Sequence, residues 1–240
     1  MTSAFQPPKL VIPVDIRAAE RHGSMDLYLP SDPAAPAPLV VVVHGGPVPG
    51  AVRPVPRDWP MYQGYASLIA ARGAVAAVAS HRLHSPADYA VAADDVLTAV
   101  DLARADARVD DDRVAIWFFS GAGLLMADWL RKPPSWLRGI VATYPYLAPL
   151  TGWPADERFR PVDAVGEAGA LPVVLTRAGR ELAEPAAAVA AFIAAAAKHG
   201  TRLEVIDVPD GVHGFDATDD TDATRRAIGR AVDAVFEVFD

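Results

Sequence analysis

Two side chains in this sequence have the chemistry of acyl transfer and stand where that chemistry can work. Ser120 follows the apolar run Val114–Phe119 and precedes Gly121-Ala122-Gly123 and a second apolar run, Leu124–Leu130. A strand that turns sharply into a helix there projects the hydroxyl above a sheet, and the helix N-terminus directs N–H groups at developing negative charge. The same stretch also suits a serine that only caps a helix. His213 lies in Gly211-Val212-His213-Gly214, after the apolar run Leu203–Val208. An imidazole with an ordinary pKa near ~6.5 can take a serine proton and return it to a leaving group. The flanking glycines let the loop bend, although an ordinary loop histidine would read the same way. His44, in His44-Gly45-Gly46-Pro47, reads as a brace for its own loop. His22, His81, His84 and His199 show no paired spacing, so no metal site is expected.

The elements that must position these residues alternate along the chain. Lys9–Ile16 and Met25–Leu29 alternate apolar and polar residues as strands of an opening hairpin, and 31–38 is a Pro/Ala-rich loop. Leu39–Val43 is continuously apolar, which suits a strand covered on both faces. Met61–Arg72 reads as a helix stopped by Gly73, and Ala74–Ala79 as the next strand. Ser85-Pro86-Ala87-Asp88 has the form of a capping box ahead of Tyr89, Ala92, Val96, Val100 and Ala103 at helical spacing. Val114–Phe119 is a strand, Leu124–Leu130 a helix ended by Pro133-Pro134, and Ile140–Tyr144 a further strand. A Pro-punctuated loop from Pro145 to Ala170 holds one short helix near Val162–Val165. Val173–Thr176, Pro185–Lys198, Leu203–Val208 and Thr221–Phe239 complete a strand-helix-strand-helix ending. This alternation implies a mainly parallel sheet with helices on both faces and its site at the carboxyl ends of the strands.

Composition excludes several classes. With 240 residues, 52% of them hydrophobic and 22% charged, the chain can bury a full core in one domain, residues 1–240. A net charge of −8 leaves no basic face for nucleic acid or for an anionic membrane, and small-molecule substrates fit better. The absence of cysteine removes disulfides, thiolate metal sites and thiol nucleophiles. The first residues carry no basic segment leading into an apolar run, and no stretch approaches the ~18 apolar residues of a membrane span. A soluble cytoplasmic protein without cofactor is expected, its oligomeric state open, with a homo-oligomer among the options.

Five segments together resemble the α/β-hydrolase fold, in the esterase, dienelactone-hydrolase and prolyl-oligopeptidase-like group, over nearly the whole chain. His44-Gly45-Gly46-Pro47 resembles the His-Gly-Gly loop after the third strand, and Ile116-Trp117-Phe118-Phe119-Ser120-Gly121-Ala122-Gly123 the nucleophile elbow. Arg158-Phe159-Arg160-Pro161-Val162 resembles the segment before the seventh strand. Arg177-Ala178-Gly179-Arg180-Glu181 resembles the acid loop, and Gly211-Val212-His213-Gly214-Phe215 the histidine loop. The elbow departs from its pattern where Phe118 and Ala122 replace glycine, and Glu181 stands where Asp is usual.

The resemblance implies an α/β fold without a large lid domain and a catalytic triad of Ser120, His213 and Glu181. Glu184 and Asp210 remain as competing carboxylates. It also implies an oxyanion hole from the N–H groups of Gly46 and Gly121, since Pro47 has no N–H to offer. Phe118, Trp59, Tyr62, Trp153 and Phe159 are the candidate pocket walls, with Phe118 expected to narrow the acyl side. Arg160 and Arg177 could meet a substrate carboxylate, but surface ion pairing is the simpler expectation. Three functions follow. One is a carboxylesterase acting through an acyl-enzyme on Ser120, and one a dienelactone-hydrolase-like or peptidase-like enzyme. The third is a non-catalytic binding protein on a degenerate hydrolase fold, suggested by Phe118 and Glu181.

Overall fold

Continuously apolar strands belong in the middle of a sheet, because only a strand covered on both faces buries every side chain. The computed structural model describes residues 5–31, 36–154 and 156–239. Its strands are β1 (Glu20–His22), β2 (Met25–Tyr28), β3 (Ala37–Val43), β4 (Val75–Ala79), β5 (Val109–Phe119), β6 (Leu137–Thr143), β7 (Val173–Ala178) and β8 (Leu203–Val208). They form one sheet in the order β1-β2-β4-β3-β5-β6-β7-β8. Every pairing from β4 to β8 is parallel, and β1 and β2 are antiparallel at one edge. Leu39 to Val43 of β3 are fully buried, as their uninterrupted apolar run requires.

The helices are α1 (Pro60–Ala71), α2 (Tyr89–Arg104), α3 (Met126–Arg131), α4 (Pro161–Ala164), α5 (Ala183–His199), α6 (Phe215–Thr218) and α7 (Asp222–Glu237). Helices α1 and α7 pack on one face of the sheet, and α2, α3 and α5 on the other. Strand β5 serves both faces by alternation. Ile116 and Phe118 point toward α2 and α3, while Ala115, Trp117 and Phe119 point toward α1. Among the described residues no helix is long and apolar enough to cross a membrane.

Two local expectations change. The opening hairpin is β1–β2, and residues 9–16 form no strand. Their alternation accompanies partial burial, with Leu10 in the core beneath α1, but Pro13 lacks an N–H and among the described residues no strand pairs with them. Ser85-Pro86-Ala87-Asp88 is a turn ahead of α2 rather than its first turn. Both the N–H and the hydroxyl of Ser85 donate to Asp88 Oδ2, at 2.8 Å each. Part of the 31–38 loop, residues 32–35, lies outside the described residues.

The strand ends decide where chemistry can occur. The register pairs Val43 with Phe118, Phe119 with Thr143, Thr143 with Thr176 and Ala178 with Val208. Five loops therefore leave one edge of the sheet side by side: those beginning at His44, Ser120, Tyr144, Gly179 and Pro209.

Candidate active site

Ser120 is the first residue after β5, and the chain turns there at once into a 3-10 helix, Ser120–Leu125, that leads to α3. The turn holds Ser120 at φ = 51°, a left-handed conformation that a residue with a Cβ adopts at a cost. Its Oγ lies 2.6 Å from His213 Nε2. His213 Nδ1 lies 2.5 Å from Glu181 Oε2, so the three side chains form one continuous hydrogen-bonded line. The Glu181 side chain is only 6% exposed, and its other oxygen accepts the Leu182 N–H at 2.8 Å. Burial pushes this carboxyl up, but the His213 hydrogen bond and charge, with the Leu182 N–H, outweigh it and hold it below its ordinary value. Among the described residues neither competing carboxylate bonds to His213. Glu184 accepts from the N–H and hydroxyl of Thr151, and Asp210 is exposed.

Two glycines make this approach possible. A Cβ on Gly179 would sit 2.1 Å from the Pro209 carbonyl oxygen, so only glycine lets the acid loop cross the histidine loop. A Cβ on Gly121 would sit 1.9 Å from the Gly46 carbonyl oxygen, which presses the His44–Pro47 loop against the elbow. On that loop the Gly45 N–H donates to the Tyr62 hydroxyl at 2.8 Å, whereas the Gly46 N–H has no protein acceptor among the described residues. The Gly121 N–H stands in the first turn of its helix, where N–H groups lack intrahelical partners. His44 is buried and stacks on His81 at 3.7 Å, and the His81 Nε2–H donates to the His44 carbonyl at 2.9 Å. Burial, with the other imidazole beside it, holds His44 far below its ordinary pKa, so it braces the loop as a neutral ring.

No protein-family model matches this sequence, and no curated protein matches it. Solved structures do. Bacterial heroin esterase superposes with a TM-score of 0.73 at 17% identity, over 90% of this chain and 79% of that one. Thermogutta terrifontis esterase 2 phosphorylated by paraoxon superposes with a TM-score of 0.70 at 20% identity, over 96% of this chain and 93% of that one. DphMB1 gives a TM-score of 0.73 at 20% identity, over 95% and 88% of the two chains. The chain has the α/β-hydrolase fold. The fold implied by the five sequence segments is thus borne out.

Within this α/β-hydrolase fold, a cavity of about 320 Å³ opens in front of Ser120 and His213. Trp59 and Tyr62 line it as expected, together with Met61, Val48 and Tyr144, which sequence reasoning did not single out. Phe118 does not line it. Strand alternation turns Phe118 away from the cavity into the fully buried core under α2 and α3, and Phe159 lies in the same core against Tyr89. Trp153 stands one ring further out, 5.9 Å from Tyr146, which in turn lies 5.2 Å from the His213 ring. Arg160 pairs with Asp163 and Arg177 with Asp207, and neither borders the cavity. Among the described residues no group of three or more His, Asp or Glu side chains is placed to hold a metal ion.

The position of Phe118 replaces one expectation with another. Phe118→Ala should lower stability by about 3–5 kcal/mol, the usual cost of emptying a buried aromatic site, and leave acyl-chain preference unchanged. Urea unfolding followed by a chain-length series on the folded variant checks both halves.

Proposed function

We propose that this chain is a serine hydrolase of small, uncharged carboxylic esters. The observation that carries the reading is the line Ser120–His213–Glu181, with hydrogen bonds of 2.6 and 2.5 Å, at the mouth of a largely apolar cavity. His213 Nε2 takes the Ser120 proton as Oγ attacks the ester carbonyl, and the N–H groups of Gly46 and Gly121 meet the negative charge that forms on the carbonyl oxygen. The imidazolium then protonates the departing alcohol, leaving an acyl group on Ser120. Water, activated by His213 in the same way, releases the acid. Glu181 keeps the Nδ1–H facing itself and favours the imidazolium. The names of the superposed structures support this direction, since two are esterases and one of those was phosphorylated by paraoxon.

The cavity favours an ester over a carboxylate-bearing lactone. No Lys or Arg lines it among the described residues, so an anionic substrate would lose its hydration without gaining a partner. A retired binding protein loses its main argument too, because Phe118 packs in the core away from the cavity and Glu181 lies within hydrogen-bond reach of His213. The purified protein should hydrolyse p-nitrophenyl acetate and butyrate, with kcat/KM at least about tenfold lower for the free-acid p-nitrophenyl hemisuccinate, a difference worth ~1.4 kcal/mol. Preference for the hemisuccinate, or no turnover of either neutral ester, would contradict the reading.

A further inference from the structure

The proposed reaction uses one carboxylate, yet a second is buried just behind the same histidine. Asp216 is fully buried, and each of its oxygens accepts a tyrosine hydroxyl at 2.8 Å, Oδ2 from Tyr65 and Oδ1 from Tyr144. Tyr65 comes from α1, and Tyr144 from the turn after β6. Tyr144 is held at φ = 37°, its N–H bonded to the Thr176 carbonyl at 2.8 Å. The ring of Tyr144 lies 4.8 Å from that of His213, and the ring of Tyr146 5.2 Å from it. Asp216 itself has no surface in the cavity, while Tyr144 lines it.

A buried carboxylate is a poor stabiliser. Burial raises the Asp216 carboxyl to about 6 despite its two tyrosine donors and the nearby His213 charge. A group raised above its unfolded value contributes stability that is present below the ordinary carboxylate range and lost as pH rises through about 6. At neutral pH the fold therefore holds a charge that an asparagine would spare it. The titratable groups facing that charge are Tyr62 and Tyr65 of α1, Tyr144 and His213, so His213 is the single group among them that becomes cationic.

We propose that Asp216 is a positioning residue for His213: it holds Tyr144, whose ring packs against the imidazole, and its buried charge favours the imidazolium formed during acyl transfer. The inference rests on the hydrolase reading of the site. Glu181 orients the ring from the Nδ1 edge, and Asp216 acts on it through Tyr144.

The test is Asp216→Asn, assayed with p-nitrophenyl acetate across pH. The amide can still pair with both tyrosines once one hydroxyl rotates to accept, so the variant should fold at neutral pH. The expected result is a kcat lower by about tenfold, with KM within about twofold. The acid side of the kcat/KM profile should also lose the ionisation near pH 6 that Asp216 contributes. If Asp216→Asn does not fold, Tyr144→Phe, which removes only the bridging hydroxyl, should lower kcat in the same direction without raising KM. A folded variant whose kcat and pH profile superimpose on wild type overturns the proposal. Failure of the hydrolase reading shows differently, since wild type itself then turns over no ester, and that result overturns both.

Discussion

Ser120→Ala should lower turnover of p-nitrophenyl acetate by about a thousandfold or more while leaving the circular dichroism spectrum and melting temperature close to wild type. The size of the loss follows from what the hydroxyl does. With Oγ 2.6 Å from His213 Nε2, it is the only atom on this line that can form the acyl bond, and the remaining catalysis would come from the oxyanion donors alone. The small effect on folding follows from the geometry. Ser120 holds a left-handed φ of 51° with its side chain at the cavity, so alanine there removes a hydrogen bond to a half-buried histidine and no core contact. A variant that keeps more than about 1% of wild-type turnover would remove Ser120 from the nucleophile's role.

Glu181→Gln should cost at least about a hundredfold in kcat at neutral pH, because the amide can present its NH₂ to Nδ1 and so favour the wrong imidazole tautomer. The carboxylate lies 2.5 Å from Nδ1 and is nearly enclosed, so solvent does not dilute the effect. The pH dependence has a definite sign. Glu181 titrates below its ordinary value, so its contribution to stability is present above the ordinary carboxylate range and is lost as pH falls through the lowered one. The difference in melting temperature between wild type and Glu181→Gln should therefore shrink on acidification. A variant within about threefold of wild type in kcat would return the acid's role to another carboxylate.

Where local sequence determines structure, the chain was readable. Leu203–Val208 is a strand with the limits expected, because Thr201-Arg202 and Pro209-Asp210 punctuate it on both sides. That the site would lie at the carboxyl ends of the strands followed from the strand-helix alternation, whereas the meeting of Ser120 with His213, 93 positions later, and of His213 with Glu181, 32 positions earlier, was expected from the resemblance of the five segments. Properties that depend on which face a strand presents, or on partners far along the chain, were not readable. Phe118 sits beside the elbow in sequence, but the alternation of β5 sends it to the opposite core. The burial of Asp216 is set by Tyr65, 151 residues away, and by Tyr144, 72 residues away. The one local hint, the pair Tyr144 and Tyr146 directly after β6, carries no sign in sequence that it will close around a histidine from another loop. The four-residue α6 is too short to show helical periodicity at all.

The central claim is that Ser120 forms a covalent bond to the acyl carbon, and the most direct measurement is the mass of the protein after reaction with a fluorophosphonate, followed by peptide mapping. A single adduct on the peptide containing Ser120, absent from Ser120→Ala and much slower to form in a His213→Ala variant, is the result predicted. An unmodified protein under conditions that label an active serine hydrolase, or an adduct on any other residue, would contradict it.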